Sequence, residues 1–164
     1  MSEVRVSSRR RSREVALQVL YAIDLARTRT AGTSDESQVD PNAAREVFES
    51  VAAHFEMPAG AKSFALELVC EVCLHADALD TRVTAHTRNW RLSRMAAVDR
   101  NILRLGCYEL THTETPTAVV VNEAVELARH FGADASPAFV NGVLDAVGRG
   151  RSSADTVRVA ERGA

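Results

Sequence analysis

SRRRSREVALQVLYAI, running from Ser8 to Ile23, decides how this chain folds. Ala16, Val19, Leu20 and Ile23 fall on one face at about 3.6 residues per turn, the period of a helix with one apolar side. The spacing predicts an amphipathic helix that starts near Ser8, with Ser7 or Ser8 as N-cap, and ends at about Arg27. Four arginines, Arg9, Arg10, Arg11 and Arg13, crowd its first turns. A helix N-terminus is already partly positive, so cations there are disfavoured by about a few tenths of a kcal/mol each. A sequence that resists its own local preference marks a functional position. The partner that free N–H groups and guanidinium forks both favour is phosphate. At about 100° per residue, Arg10, Arg13, Leu17 and Tyr21 fall within a quarter turn. A base stacked on Tyr21 would then have Arg10 and Arg13 for its flanking phosphates, an arrangement suited to a single strand.

The same period continues down the chain. Residues 28–40, rich in Thr, Ser, Asp and Gly, read as a loop. Asp40-Pro41 is a cap followed by a proline, opening a helix with Ala44, Val47, Phe48, Val51, Ala52 and Phe55 on its apolar face. A third helix begins near Ala61 and carries Phe64, Ala65, Leu68, Val69, Val72 and Cys73, with a bend or break expected between Asp77 and Asp80. Trp90-Arg91-Leu92 reads as a short connection, and Ser93 as the cap of a helix bearing Met95, Val98, Ile102 and Leu105. Gly106 in that helix predicts close approach of a neighbour. Thr115-Pro116 or Thr117 opens the next helix, closed by Gly132 as a left-handed C-cap, and Ser136-Pro137 opens the last. The class is all-α, about seven helices in two packed bundles. The expected divisions are a flexible basic arm at 1–7, an N-terminal bundle at 8–76, a C-terminal bundle at 77–148 and a flexible tail at 149–164.

Composition narrows the function. The net charge of −2 hides an asymmetry: residues 1–13 hold five arginines against Glu3, a local +4 that leaves −6 elsewhere. One polyanion-binding edge on a mildly acidic body is the simplest account. No apolar run approaches the ~20 residues of a membrane span and no signal core follows the basic residues, which predicts a cytoplasmic protein without membrane contact. Cys70, Cys73 and Cys107 make an odd set for a disulfide framework, and no second pair or nearby histidine completes a zinc site around Cys70-x-x-Cys73, so the cysteines read as core packing. His54, His75, His86, His112 and His130 are scattered along the sequence, with no metal-ligand spacing. Asp99 beside Arg100, and Glu123 with Glu126, read as solvated or paired carboxylates. No acid–base site, nucleophile elbow or phosphate-cradling glycine loop is present, so neither an enzyme nor a cofactor is expected. Asn122 and Asn141 are expected to bond backbone across the bundle, with the alternative that Asn141 and Phe139 extend the binding surface.

Four segments, RRRSREVALQVLYAIDL, VDRNILRLGCYEL, VNEAVELARHFG and FVNGVLD, resemble in order and spacing the bacterial NusB family of transcription antitermination factors. The resemblance implies two helical bundles that bind the boxA sequence of nascent ribosomal RNA transcripts. It implies NusE, the small-subunit ribosomal protein, as partner, and read-through by RNA polymerase in an antitermination complex. By the same resemblance Arg9, Arg10, Arg11, Arg13 and Tyr21 fall in the family's RNA-binding motif. Phe139 matches an aromatic position beside the RNA path, and Asp99 lies in the region facing NusE. Gly132-Ala133-Asp134-Ala135-Ser136 lacks a second acidic residue that some relatives carry after Asp134. A related domain also precedes some ribosomal RNA methyltransferases, but no Rossmann-type segment follows here. From the residues alone a rival reading stands beside this one: a helical scaffold whose basic arm binds an acidic protein. The oligomeric state is left open between monomer and homodimer.

Overall fold

Seven α-helices and one 3-10 turn account for the regular structure of the described residues, and no strand occurs among them. In this computed structural model the backbone is described for residues 2–30, 39–88 and 90–162, and the side chains for 8–29, 39–88 and 90–151. The helices are α1 (Ser2–Thr30), α2 (Pro41–Ala52), α3 (Ala59–Leu74), α4 (Ala76–Ala85), α5 (Ala97–His112), α6 (Thr117–Phe131) and α7 (Ser136–Arg162), with the 3-10 turn at Leu92–Arg94. None of them is long and apolar enough to cross a membrane.

Several boundaries differ from expectation, each for a local reason. α1 begins at Ser2, because no glycine or proline interrupts 2–8, so Ser7 and Ser8 lie inside the helix, past the position of an N-cap. Of the expected loop, Thr28–Thr30 extend α1, and residues 31–38 lie outside the described residues. Asp40 caps α2 as expected, its carboxylate accepting the Asn42 N–H at 3.0 Å. The break between α3 and α4 falls at His75, ahead of Asp77. Ser93 lies within the 3-10 turn, and α5 starts after Ala96 with no side-chain cap. Gly132 is extended (φ −93°, ψ −177°), not left-handed. It is required sterically instead, since a Cβ there would lie 2.7 Å from the Ser136 Cβ. Ser136 spends its hydroxyl on the Ala133 N–H at 3.0 Å. α7 continues through Gly148 and Gly150 to Arg162, past the expected end of the bundle at 148. Near its middle Arg151 ties it to the α5–α6 connection, donating to the carbonyls of Thr113 and Thr115 at 3.1 and 3.3 Å.

α1, α2 and α3 pack on one another, as do α5, α6 and α7, while α4 lies against α3, α5 and α7. α5 is the hub. It touches α1, α3, α4, α6 and α7, and every residue from Asn101 to Leu110 except Arg104 is buried. One apolar core therefore runs from Val15 of α1 to Val147 of α7. Close approach at Gly106 is real: a Cβ would lie 2.5 Å from Leu144 Cδ1 of α7. Asn122 and Asn141 do not bond across the bundle. Both are exposed along an open groove between α6 and α7, and among the described residues the buried asparagine is Asn101, which donates to Asp24 Oδ2 at 2.9 Å.

Two ionic contacts set α1 antiparallel on α5. Arg13 and Glu109, only 4% and 2% exposed, form a two-point pair, Nε–Oε2 at 2.9 Å and Nη2–Oε1 at 2.7 Å. Farther along, Asp24 receives the Arg100 Nε at 2.8 Å. Removing one member of a buried pair strands the other charge, which costs about 3–5 kcal/mol, whereas replacing both by apolar groups is close to neutral. Urea unfolding of Arg13→Met and Glu109→Leu should therefore show a loss of about 3–5 kcal/mol in each single variant and recovery of most of it in the double variant. The glycines give an opposed pair. Gly106→Val should destabilise by about 1–3 kcal/mol through overpacking. Gly142→Ala, where an added Cβ meets nothing within 4 Å, should stabilise by about 0.5–1 kcal/mol on the same measurement.

Candidate nucleic-acid interface

The four clustered arginines of α1, Arg9, Arg10, Arg11 and Arg13, leave the helix in different directions and meet different partners. Arg9 is exposed, its guanidinium 5.0 Å above the Phe64 ring of α3. It lines an open groove with Phe64, Pro116 and Val119 and with the carboxylates of Glu67, Glu114 and Glu123, but forms no ion pair with any of them. Arg10 reaches across to α6, where Glu123 accepts its Nε at 3.0 Å and its Nη2 at 2.9 Å. That hydrogen bond and charge hold the Arg10 guanidinium above its ordinary pKa. Its outer edge stays in solvent. Arg11 pairs with Glu14 at 3.0 Å and lies 5.0 Å over the Phe55 ring, also half exposed. Arg13 is sealed in its pair with Glu109.

Two parts of the sequence reading need correction. Because α1 begins at Ser2, the arginines lie beyond its first turn, where the helix dipole no longer disfavours them. Three of the four are neutralised by the protein's own glutamates. Nor does the structure assemble Arg10 and Arg13 as a phosphate clamp around one base, since Arg13 and Leu17, on the line joining Arg10 to Tyr21, are both buried. What remains open is the two ends of that line. Arg9 and the outer edge of Arg10 lie at one end. Tyr21, 37% exposed, lies at the other, about 17 Å away at 1.5 Å per residue.

The remaining site residues gather at the Tyr21 end. Leu144 packs at Gly106 and Gly148 near Leu110, so α7 runs parallel to α5, and the start of α7 sits at the start of α5. Phe139, partly buried in the first turns of α7, thus shares that end of the molecule with Tyr21, since Asp24 of α1 meets Arg100 there. The Trp90 ring lies 6.0 Å from the Phe139 ring. Asp99 occupies the first turn of α5, with Oδ1 buried and lacking a hydrogen-bond partner among the described residues.

Three groups escaped the sequence reading. Glu109 could have been found, as a lone acid in the apolar run LRLGCYEL wants a buried cation. Trp90, taken as mere connection, is the most exposed large apolar side chain described, at 59%. His75 and His112, far apart in sequence, lie with ring centres 4.3 Å apart and planes tilted by 33°. Burial and the neighbouring His75 lower the His112 pKa. Among the described residues no group of three or more His, Cys, Asp or Glu side chains could hold a metal. Burial pushes the Cys73 and Cys107 thiols up to about 11, which leaves them protonated packing groups.

The chain was compared with known proteins. The family model described as NusB family matches residues 10–149. The transcription antitermination protein NusB of Geotalea uraniireducens is 43% identical over 143 residues, 87% of this chain and 94% of that protein. The protein of the same name from Myxococcus xanthus is also 43% identical over 143 residues, 87% of this chain and 95% of its own length. Among solved structures, T. maritima NusB superposes with a TM-score of 0.70 at 27% identity, covering 86% of this chain and 90% of that one. A crystal structure of the antitermination factors NusB and NusE in complex with dsRNA gives 0.69 at 27% identity, covering 88% and 98%. Fold, order of segments and identity agree along the length of both bundles: this chain belongs to the NusB family, whose members are non-catalytic antitermination factors.

Proposed function

We propose that this chain is an RNA-binding antitermination factor of the cytoplasm that holds boxA-type single-stranded RNA of nascent ribosomal RNA transcripts. It acts together with NusE, so that RNA polymerase reads through terminators. The observation that carries this reading is the open cation at Arg9 and the open ring at Tyr21 on one rigid helix, with half-free Arg10 and Arg11 beside them. Guanidinium groups bind phosphates and an exposed aromatic ring stacks a base, which is the recognition chemistry of single strands. Related NusB and NusE have been crystallised together with dsRNA, which supports both an RNA and a NusE partner. Arg13 serves this reading indirectly, by holding α1 against α5. Phe139 extends the stacking surface, and Asp99 belongs to the face offered to NusE. Its orphan Oδ1 awaits a donor, and a buried acceptor left unpaired costs about 1–3 kcal/mol.

The test is a titration of boxA-type RNA, a scrambled strand and a duplex, each with and without NusE. The roughly three phosphates held by α1 should contribute about −2 to the slope of log K against log salt for a single strand. Arg9→Ala should flatten that slope by about 0.7. Tyr21→Ala should leave the slope alone and weaken binding by about 1–3 kcal/mol. Equal, salt-indifferent binding of boxA and scrambled strands would remove the proposal, and tight binding of an acidic protein in place of RNA would favour the scaffold reading. Asp99→Asn should weaken NusE binding by about 1–2 kcal/mol in calorimetry, because a neutral amide is a poorer acceptor for an incoming donor. Its unfolding free energy should stay within about 1 kcal/mol of the parent, since the lost helix-terminus charge interaction is offset by relief of a buried orphan charge.

A further inference from the structure

We infer that the loop between α4 and α5 is a second RNA-contacting subsite, in which Trp90 stacks an unpaired base and Arg88, Arg91 and Arg94 hold the phosphates flanking it. The inference rests on the reading of this chain as an RNA-binding protein and adds to it a site outside α1.

The first observation is charge. From Asp80 to Asp99 the intervening sequence holds four arginines and no acidic residue. Arg88, Arg91 and Arg94 are exposed, and among the described residues none of the three has a carboxylate partner. Their neighbours Arg100 and Arg104 are engaged by Asp24 and Asp80. The protein therefore neutralises the arginines that hold helices together and leaves those of this loop open.

The second observation is rigidity. Thr87, itself buried, donates its hydroxyl to the Trp90 carbonyl at 3.2 Å. On the other side Arg100 Nη1 donates to the carbonyls of Leu92 at 2.8 Å and Met95 at 3.2 Å. Leu92 and Met95 are anchored in the core. A loop pinned on both sides of an indole that stays 59% exposed displays that ring in advance of binding, which spares the ordering cost of capture.

The third is continuity. The Trp90 ring tilts 53° against Phe139 at 6.0 Å, which leaves no room for a base between them and presents the outer face of the indole for stacking. Arg100 joins this loop to Asp24 of α1, one helical turn beyond Tyr21, so the new subsite adjoins the Tyr21 end of the α1 surface. Exposed Trp and Arg also occur in protein interfaces, but those surround their aromatic anchors with apolar area. Here one apolar ring, Phe139, lies beside the indole, and the neighbours along the chain, Arg88, Arg91, Ser93 and Arg94, are all exposed and polar, which suits a polyanion.

Trp90 is the only tryptophan of the chain, so its fluorescence reports on this loop alone. Titration of the full chain with boxA-type single-stranded RNA should quench that emission saturably, with the midpoint of binding measured independently by filter retention. Trp90→Ala should weaken RNA binding about five- to a hundredfold, Trp90→Phe should retain most of it, and neither should shift the melting temperature, because the ring is largely in solvent. Arg91→Ala with Arg94→Ala should flatten the salt slope by about 1.4. RNA bound by the parent chain with emission unchanged and with Trp90→Ala binding as tightly would overturn the subsite and leave the α1 reading standing. Quenching by NusE but not by RNA would overturn it in favour of a protein contact. Failure of the parent chain to bind RNA at all would remove both.

Discussion

The pair formed by Arg13 and Glu109 is the constraint on which the rest of the structure depends. Two charges nearly removed from water are tolerable only when each satisfies the other at more than one point, and the two-point geometry at 2.7 and 2.9 Å does so. With Arg13 turned inward, the rotation of α1 about its own axis is set. The helical period then sends Arg11 to the opposite side, toward Glu14 and Phe55, and Arg9 and Arg10 to the flanks of the buried position. The same pair locks α1 onto α5, and α5 carries both halves of the molecule. A helix that looks like a freestanding basic arm in the sequence is thus a structural member whose outer edge is left for binding.

Charge is sorted accordingly. Arg10, Arg13, Arg100 and Arg104 join helices through Glu123, Glu109, Asp24 and Asp80. Arg9 and the arginines of the Trp90 loop stand open. A net charge of −2 is compatible with binding a polyanion because many of the acidic residues are spent on the arginines that join helices, which leaves the open ones without an ion pair of their own.

Helix number and type were legible because each helix carries an apolar face at helical spacing, and Asp40-Pro41 and Gly106 signalled a cap and a close approach by chemistry that is purely local. What the sequence concealed was relational. Nothing in RRRSRE distinguishes Arg13 from Arg9, since the difference is made by Glu109, far along the chain. The dipole argument depended on a boundary at Ser8, and boundaries are poorly marked where no breaker residue stands. Asn122 and Asn141 sit among valines yet face solvent, because α6 and α7 are buried on one side only. Gly132 was read for its backbone freedom when the tight approach of Ser136 was the reason for it. Trp90 carries no signal in the sequence, because an aromatic residue in a connection gives no period, and its exposure and rigid setting emerge only from Thr87, Arg100 and Phe139 around it.

The central claim is that arginines with a guanidinium edge open to solvent along α1 and the Trp90 loop meet RNA, while those sealed between helices do not. Arginine side-chain NMR, following each Nε–H as boxA-type RNA is added, tests this most directly. The account predicts that the signals of Arg9, Arg88, Arg91 and Arg94 move with RNA while those of Arg13, Arg100 and Arg104 stay in place. Movement of Arg13 together with stationary signals from Arg9 and the loop arginines would contradict it.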